Sequence, residues 1–546
     1  MATFLLLLIA LVWGVGAIWR VYKQARFYQI EEYMSLRYLR WVLAARERAL
    51  PNRPIALWMF GAILSMFLGE ASGSVFPHIL ALIAACIAVM PPDEGEIKKR
   101  FVRTSRATRL LAASIIVTIV ALIGLLLVVW RLTERLEDFR PALVGLVGLV
   151  VLLAAPLWLV LGNLLMVPVE AAYRRRFLRQ AKQVMEAVHP KVIGITGSYG
   201  KTTTKNFMRD LLSARYKTYA TPKSYNTLMG VSRAINQDIA DDYSIEYFIS
   251  EMGAYIPGEI ARLCQLTSPS ISVVVEVGPQ HLERFGTLEN IAIAKYEIIK
   301  ALPPDGLGVF NVDNPYVKTM YDRGYPANRI GVSRLLPPQT PPDQARFIAS
   351  DVTQTLMGLT FTVTDTQTGQ NEVFNVPVVG LHNVTNILLA VAVAVHEGLS
   401  LREVAQRARM LTPSESRLVR QTSAEGLTII NDAYSANPAG VVSALQVLAM
   451  HETGRRLLIT PGMVELGPLH ESENRKLGEE AARYATDIIL VGREQTSPIA
   501  AGLQAAQFPV DRLIIVDTLS EAVTWYKQHL RAGDTVLFLN DLPDTY

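Results

Sequence analysis

The sequence predicts an α/β fold in three parts. A helical transmembrane domain covers residues 1–182, a central α/β domain 187–411, and a second, Rossmann-like α/β domain 415–546. Three observations carry that division. Long apolar runs are confined to the front of the chain, before about residue 170. From about residue 187, short β-rich runs alternate with helical stretches, the pattern of open and largely parallel sheets. Pro413-Ser-Glu-Ser-Arg417 then reads as a hinge between two such alternating regions.

Composition narrows the class. Half of the 546 residues are hydrophobic, and the mean hydropathy of +0.25 is high for a soluble enzyme. A net charge of +4 gives no ground for a nucleic-acid partner. Cys86 and Cys264 stand far apart, so they form neither a disulfide framework nor a metal cluster, which suits a reducing compartment.

In the first part, apolar runs fall at about Phe4–Ile18, Ile55–Leu68, Val75–Met90, Leu110–Trp130 and Ala142–Val167. A helix needs about 20 apolar residues to cross a bilayer, so the last two are expected to cross outright and the second and third to form a tight hairpin. About five spans result. Met1-Ala2-Thr3 carries no positive charge and no convincing cleavage site follows, which argues against a signal peptide. Basic residues cluster after the first run (Arg20, Lys23, Arg26, Arg37, Arg40, Arg46, Arg48, Arg53), the third (Lys98, Lys99, Arg100, Arg103, Arg106) and the fifth (Arg174, Arg175, Arg176, Arg179). Gly69–Val75 has none, and across Arg131–Arg140 they are offset by Glu134, Glu137 and Asp138. The positive-inside rule then puts the N-terminus outside and everything after about residue 168 in the cytoplasm. Membrane lipid with anionic headgroups is a partner open to the basic segments, although a topology signal alone explains them. No ionisable residue sits mid-span in the two longest runs, which argues against an ion or proton pathway.

The central part opens on Lys191-Val-Ile-Gly-Ile-Thr-Gly-Ser-Tyr-Gly-Lys-Thr-Thr-Thr-Lys-Asn-Phe-Met208. A β-rich run meets a turn holding Gly197 and Gly200, and Lys201 and Thr202 begin a helical pattern. Those are the parts of a phosphate-binding loop. Glycines turn backbone N–H groups toward an anion, the helix N-terminus adds positive charge, the lysine reaches terminal phosphates, and the threonine hydroxyl can bind Mg2+. The usual G-x-x-x-x-G-K-[ST] would place glycine where Ile195 stands. An ordinary Gly-rich turn is the structural alternative.

Strands are expected at Tyr247–Ser250 and Ile271–Val275, and ligands of such sheets lie beyond the strands' carboxyl ends. Glu251 and His281 lie there as candidates for a hard cation, Glu251 as an oxygen ligand and His281 as a less usual nitrogen ligand. Taken singly, a strand-end glutamate is more often solvated and a lone histidine more often structural. Residues 290–300 read as a helix in which Lys295 is by pattern a surface lysine. Residues 347–379 alternate β-fashion around Gly369 as a small antiparallel appendage, and Gly380-Leu-His382-Asn383-Val-Thr-Asn386 opens a helix over 387–396. Beyond the hinge, β-runs at Thr428–Ile430, Leu457–Thr460, Asp487–Val491, Arg512–Val516 and Thr535–Leu539 alternate with helices. No G-x-G-x-x-G follows the first of them, so a dinucleotide cofactor is not supported.

In order and rough spacing, the phosphate loop, Glu251-Met-Gly, His281-Leu-Glu-Arg-Phe-Gly with Ala294-Lys295, and Gly-Leu-His-Asn-Val-Thr-Asn386 resemble the Mur ligases, over about residues 187–530. Those are the ATP-dependent amide-forming enzymes of peptidoglycan precursor synthesis. Asn431-Asp-Ala-Tyr-Ser-Ala-Asn-Pro438 and Thr460-Pro-Gly-Met-Val-Glu465-Leu-Gly467 look most like the member that adds D-alanyl-D-alanine. The resemblance implies roles. Gly197, Ser198, Tyr199, Gly200, Lys201, Thr202 and Thr203 would hold the ATP phosphates and one Mg2+. Thr202, Glu251, His281 and Lys295 would serve metal, Lys295 as a carbamate binding a second Mg2+. Asn386 would contact adenine with Asn383 beside it, while Arg417 and Asp432 would reach phosphate and ribose. Lys201, Lys295, His281 and Arg417 are thereby the expected catalytic set. The implied partners are a muramoyl-peptide donor, UDP- or lipid-linked, and an amino acid or dipeptide acceptor, at the cytoplasmic membrane of a bacterium.

Departures from the family pattern bear on the substrates. This chain reads Asp432-Ala-Tyr434-Ser435-Ala-Asn-Pro where Asp-Ser-Tyr-Asn-Ala-Asn-Pro is common, and Leu539-Asn540-Asp541-Leu542-Pro543 where a Lys-Gly-Ser-like cluster is usual. Both lie on the acceptor side. Membrane runs also replace the soluble domain that grips the donor, so the front is expected either to dock the enzyme or to present a lipid-linked donor. A poly-γ-glutamate or other capsule amide ligase is an alternative within the class. A membrane scaffold or transport ATPase is the alternative outside it, and the presence of Lys295, His281 and Arg417 weighs against that.

Overall fold

The computed structural model describes every residue except 32, 70–74, 92–100, 134–138, 223–224, 335–343, 416, 434–435 and 540–546. Lys98, Lys99, Arg100, most of the Gly69–Val75 loop, Glu134, Glu137, Asp138, Tyr434, Ser435 and the 540–543 cluster therefore lie outside the described residues. The chain divides into two compact units, Met1–Arg176 and Phe177–Pro543.

The first unit is helical. Helices Ala2–Ile30, Ser105–Leu132 and Ala155–Val188 are long and apolar enough to cross a membrane, and Asn52–Gly69, Phe76–Val89 and Arg140–Leu153 are shorter. The single span expected over 142–167 is corrected: one helix ends at Leu153 and another begins at Ala155. Pro156 falls in the first turn of the second helix, where its missing N–H costs nothing and its fixed φ suits a helix start, whereas Pro168 lies inside that same helix. Small residues set the helix crossings. A Cβ on Gly148 would lie 2.3 Å from Trp13 Cγ, and one on Gly162 would lie 2.9 Å from Ser114 Cα. Such close approach is how helices associate in lipid, where apolar burial drives nothing. Leu7, Ile116, Val120 and Leu164 are 60 to 65 % exposed, an apolar exterior of the kind a bilayer covers.

The second unit holds two sheets. In the first, β1 (Lys191–Thr196), β2 (Thr218–Ala220), β3 (Tyr247–Glu251), β4 (Ile271–Val274), β5 (Leu307–Asn311) and β6 (Asn328–Ser333) are joined by β7 (Ala345–Thr355), β8 (Gly358–Asp365) and β9 (Asn371–Val376). Their order is β2-β3-β1-β4-β5-β6-β7-β8-β9. The expected antiparallel strands are present, as β7–β8 and β8–β9, but they are not a separate appendage, since β7 pairs parallel with β6. They extend the main sheet. The second sheet comprises β10 (Val419–Thr422), β11 (Thr428–Asp432), β12 (Arg456–Thr460), β13 (Asp487–Val491), β14 (Leu513–Val516) and β15 (Thr535–Leu539), ordered β10-β11-β15-β12-β13-β14.

The order positions the site. From β1 the chain runs to β2 at the edge and back to β3 on one side, then crosses to β4 on the other. Beyond the carboxyl ends of β1 and β4 lies the switch point where ligands of open α/β sheets bind. Helix Lys201–Leu212, directly after β1, buries Phe207, Met208 and Leu211 with the apolar helix His382–His396 on one face of the sheet.

Candidate active site

The turn after β1 feeds helix Lys201–Leu212. Gly200 sits at φ +76°, and a Cβ there would stand 2.5 Å from Asn386 Oδ1 and 2.8 Å from Val275 Cγ1. Only glycine lets the helix start this close to its neighbours. The turn is stitched to the segment after β4. Ser198 N donates to Glu276 O at 2.6 Å, Ser198 Oγ donates to Gly278 O at 2.9 Å, and Gly278 N donates back to Ser198 Oγ at 3.0 Å. The Tyr199 ring lies against Gly278, and its buried hydroxyl has no hydrogen-bond partner among the described residues.

Lys201 folds back over the loop, donating to Gly197 O at 2.6 Å, Ser198 O at 3.0 Å and Gln280 Oε1 at 3.4 Å. Burial lowers its pKa to about 8, a shift that Glu251 opposes and Arg417 reinforces. One turn along, Lys205 Nζ lies 3.2 Å from Glu251 Oε2, and both side chains are 1 % exposed. Asn226 Nδ2 donates to the other carboxylate oxygen at 3.2 Å. Glu251 at the end of β3 is thus buried and paired rather than solvated. Lys295 is also buried, at 3 % exposure. Burial, and then the Lys201 charge, push its pKa well below the ordinary lysine value against the pull of Glu259 and Glu297. His281 stands in the left-handed region with Nδ1 against Glu465 Oε2 and its ring edge-on to Tyr255, 4.6 Å between centroids.

A cavity of about 580 Å³ opens over the loop. Tyr199, Gly200, Thr203, Asn383 and Asn386 line it from the first sheet's side, and Arg417 and Asp432 from the second's. Burial raises the Asp432 carboxyl to about 6, against the lowering effects of Arg417 and of Leu418 N, which donates to it at 3.1 Å. Asn386 is fixed by Thr204 Oγ1 at 3.2 Å and by its own donation to Asn383 Oδ1 at 3.0 Å. Gly197, Ser198, Lys201, Thr202, Glu251, His281 and Lys295 do not line this cavity; Lys201 interacts electrostatically with both Glu251 and Arg417. Among the described residues no three His, Cys, Asp or Glu side chains group to hold a metal. A Mg2+ here would draw most of its shell from phosphate and water, as Mg2+ commonly does.

Three further residues come from the structure. Arg334, just after β6, lines the cavity. So does His382, whose buried Nδ1 has no partner among the described residues and whose pKa burial, Arg334 and Arg417 lower to about 4. Lys205 had a signal in its four-residue spacing from Lys201, which puts both on one helix face; Arg334 had none.

A phosphate loop at the switch point of a parallel sheet, with an arginine and an aspartate of a second α/β domain completing the same cavity, defines a two-domain ATP-using α/β enzyme. Residues 195–394 match the Mur ligase middle domain, and 416–540 match the Mur ligase, glutamate ligase domain. The chain belongs to the Mur ligase family, whose members are ATP-dependent ligases. It is 29 % identical over 359 residues to UDP-N-acetylmuramoyl-tripeptide–D-alanyl-D-alanine ligase of Bacillus subtilis, covering 66 % of this chain and 74 % of that one. To the enzyme of the same name from Mycobacterium tuberculosis it is 34 % identical over 369 residues, 63 % of this chain and 69 % of that one. The MurF ligase of Thermotoga maritima in complex with ADP shares the fold with a TM-score of 0.57 at 22 % identity, over 67 % of this chain and 80 % of that structure.

Proposed function

We propose that this chain is a MurF-type ligase that couples ATP cleavage to amide formation, adding a D-alanyl-D-alanine-type dipeptide to a muramoyl-peptide precursor. The single cavity shared by the phosphate loop, Asn383, Asn386, Arg417 and Asp432 carries that reading. A donor carboxylate attacks the γ-phosphorus of ATP and ADP leaves. The acceptor amine then attacks the acyl carbon, phosphate departs, and the amine sheds a proton. Gly197, Ser198, Tyr199, Gly200, Lys201 and Thr203 are assigned to the phosphates, Asn383 and Asn386 to the base, Arg417 to phosphate and Asp432 to ribose. Because Arg417 and Asp432 belong to the second domain, its closure over the loop excludes water from the acyl phosphate.

Mg2+, when bound, supplies the positive charge needed between two anions that otherwise repel. Thr202, Glu251 and His281 are the residues assigned to hold it. Burial favours the neutral amine of Lys295, and a neutral amine takes up CO2 as a carbamate, releasing a proton and gaining a carboxylate head for a second ion.

The first unit is assigned to the cytoplasmic membrane of a bacterium, with the N-terminus outside and the ligase domains in the cytoplasm. Its three long apolar helices support this, as do the basic residues that follow the expected spans. The proposed domain limits are 1–182, 187–411 and 415–546. The experiment uses the full-length protein in detergent with Mg-ATP, D-alanyl-D-alanine and a muramoyl-tripeptide donor, supplied once as the UDP form and once lipid-linked, with product mass read by spectrometry. Ligation of the UDP form makes the first unit an anchor; ligation of the lipid form alone makes it the donor site. If neither reacts while other amines release ADP, the cell-wall assignment falls.

A further inference from the structure

We infer that Glu465, on the second α/β domain, is a positioning residue that grips His281 and so ties that domain's approach to the geometry of the phosphate loop. The inference rests on the ligase reading above. The contact is direct, Glu465 Oε2 against His281 Nδ1. His281 follows Gln280, whose side-chain oxygen accepts from Lys201 Nζ at 3.4 Å. The preceding residues Glu276 and Gly278 are hydrogen-bonded to Ser198 of the loop. A displacement at His281 is therefore felt by the lysine and the turn that face the phosphates.

The surroundings are built for this contact. Both partners are non-glycine residues in the left-handed region, His281 at φ +55° and Glu465 at φ +59°, a conformation that persists where neighbours enforce it. The Tyr255 ring stands edge-on to His281, and the Arg284 guanidinium lies 4.4 Å from the Tyr255 ring centroid. The two backbones also approach closely, since a Cβ on Gly467 would lie 3.4 Å from Glu283 Cα. Leu469, two residues on, packs against the hydrophobic clusters of both domains. With Nδ1 engaged, the imidazole is held in one orientation with Nε2 as its remaining polar atom. The carboxylate that orients the ring comes from the domain that must close, so closure and loop geometry become one event.

The test compares wild type, E465A and E465Q as full-length proteins. Glutamine still offers an oxygen to Nδ1, whereas alanine offers nothing. E465A is expected to lower kcat by about 10- to 100-fold while the Kd for ADP, measured by calorimetry, stays within about threefold. Amide exchange over residues 279–286 should speed up in E465A, and E465Q should recover most of both losses. Wild-type kcat in E465A, or kcat and ADP affinity falling together with no recovery in E465Q, would overturn the clasp. If the wild type itself forms no amide, the ligase reading fails separately. The exchange comparison still judges the clasp then, and unchanged exchange in E465A refutes it.

Discussion

Replacing Lys205 with methionine removes the cation from a fully buried ion pair and leaves the Glu251 carboxylate behind. Lys205 Nζ is 3.2 Å from Glu251 Oε2, and Asn226 Nδ2 is the neutral donor on the other oxygen. Burial is the largest influence on Lys205 and pulls its pKa down, while Glu251 pulls it up, so the pair survives on its mutual attraction. Removing one member of such a pair costs about 3–5 kcal/mol, because the charge that remains is desolvated and unpaired. The unit Phe177–Pro543 has roughly 370 residues, and at about 2.1 cal/mol/K per residue its unfolding entropy is about 0.8 kcal/mol/K. Lys205→Met should therefore lower the Tm by roughly 4–6 °C. The double variant K205M/E251Q buries no charge and should recover most of that loss, although it forfeits Glu251 for any catalytic role. The assay is thermal unfolding of the full-length chain in detergent, followed by intrinsic fluorescence at one scan rate. A K205M melt indistinguishable from wild type, or a double variant that melts below the single one, would refute the reasoning.

Four other outcomes follow from the site. Asp432 has a folded pKa near 6, above the unfolded value, so keeping it charged at neutral pH costs about 3 kcal/mol. Asp432→Asn should melt higher than wild type at pH 7.5, lose that advantage as pH falls through 6 toward 4, and bind ATP less well; a lower melt at pH 7.5 contradicts this. Lys201, lowered to about 8 by burial, loses its proton as pH rises past that value, so ADP affinity measured by calorimetry should weaken between pH 7 and 9.5, and a flat profile counts against its phosphate role. Gly200→Ala places a Cβ 2.5 Å from Asn386 Oδ1 at a positive φ, and nucleotide binding should be lost; wild-type affinity would mean the loop tolerates rearrangement. Lys295→Ala should abolish ligation while ADP affinity stays within about threefold, and ligation at the wild-type rate removes Lys295 from the mechanism.

What the sequence displays of this site is what acts locally. The loop after β1 brings a β-run, two glycines and a lysine together along one short stretch, and each works through its immediate backbone, so the motif is legible without a fold. The two sheets are legible for the same reason, as alternation of β-runs and helices. Burial is not local. Glu251 and Lys295 read by pattern as solvated charges, yet the packing around the first sheet closes over both, and over Lys205 beside them. Hydropathy averaged over 142–167 hides the break at Ala154, and the informative residue there is the single Pro156. The alternation over 347–379 announces strands but not which edge they join, and only the pairing of β6 with β7 makes them part of the main sheet. Strand β10 carries Arg420 and Gln421 on an exposed edge, with no apolar alternation to reveal it. The contact between His281 and Glu465 is the extreme case, since it spans 184 positions and joins two residues whose positive φ no side-chain preference foretells. The groups assigned to the anion are thus readable from the chain, because the chemistry proposed for them dictates their type. Groups that hold those in place are drawn from ordinary residue types, and topology alone tells them apart from any other lysine or glutamate.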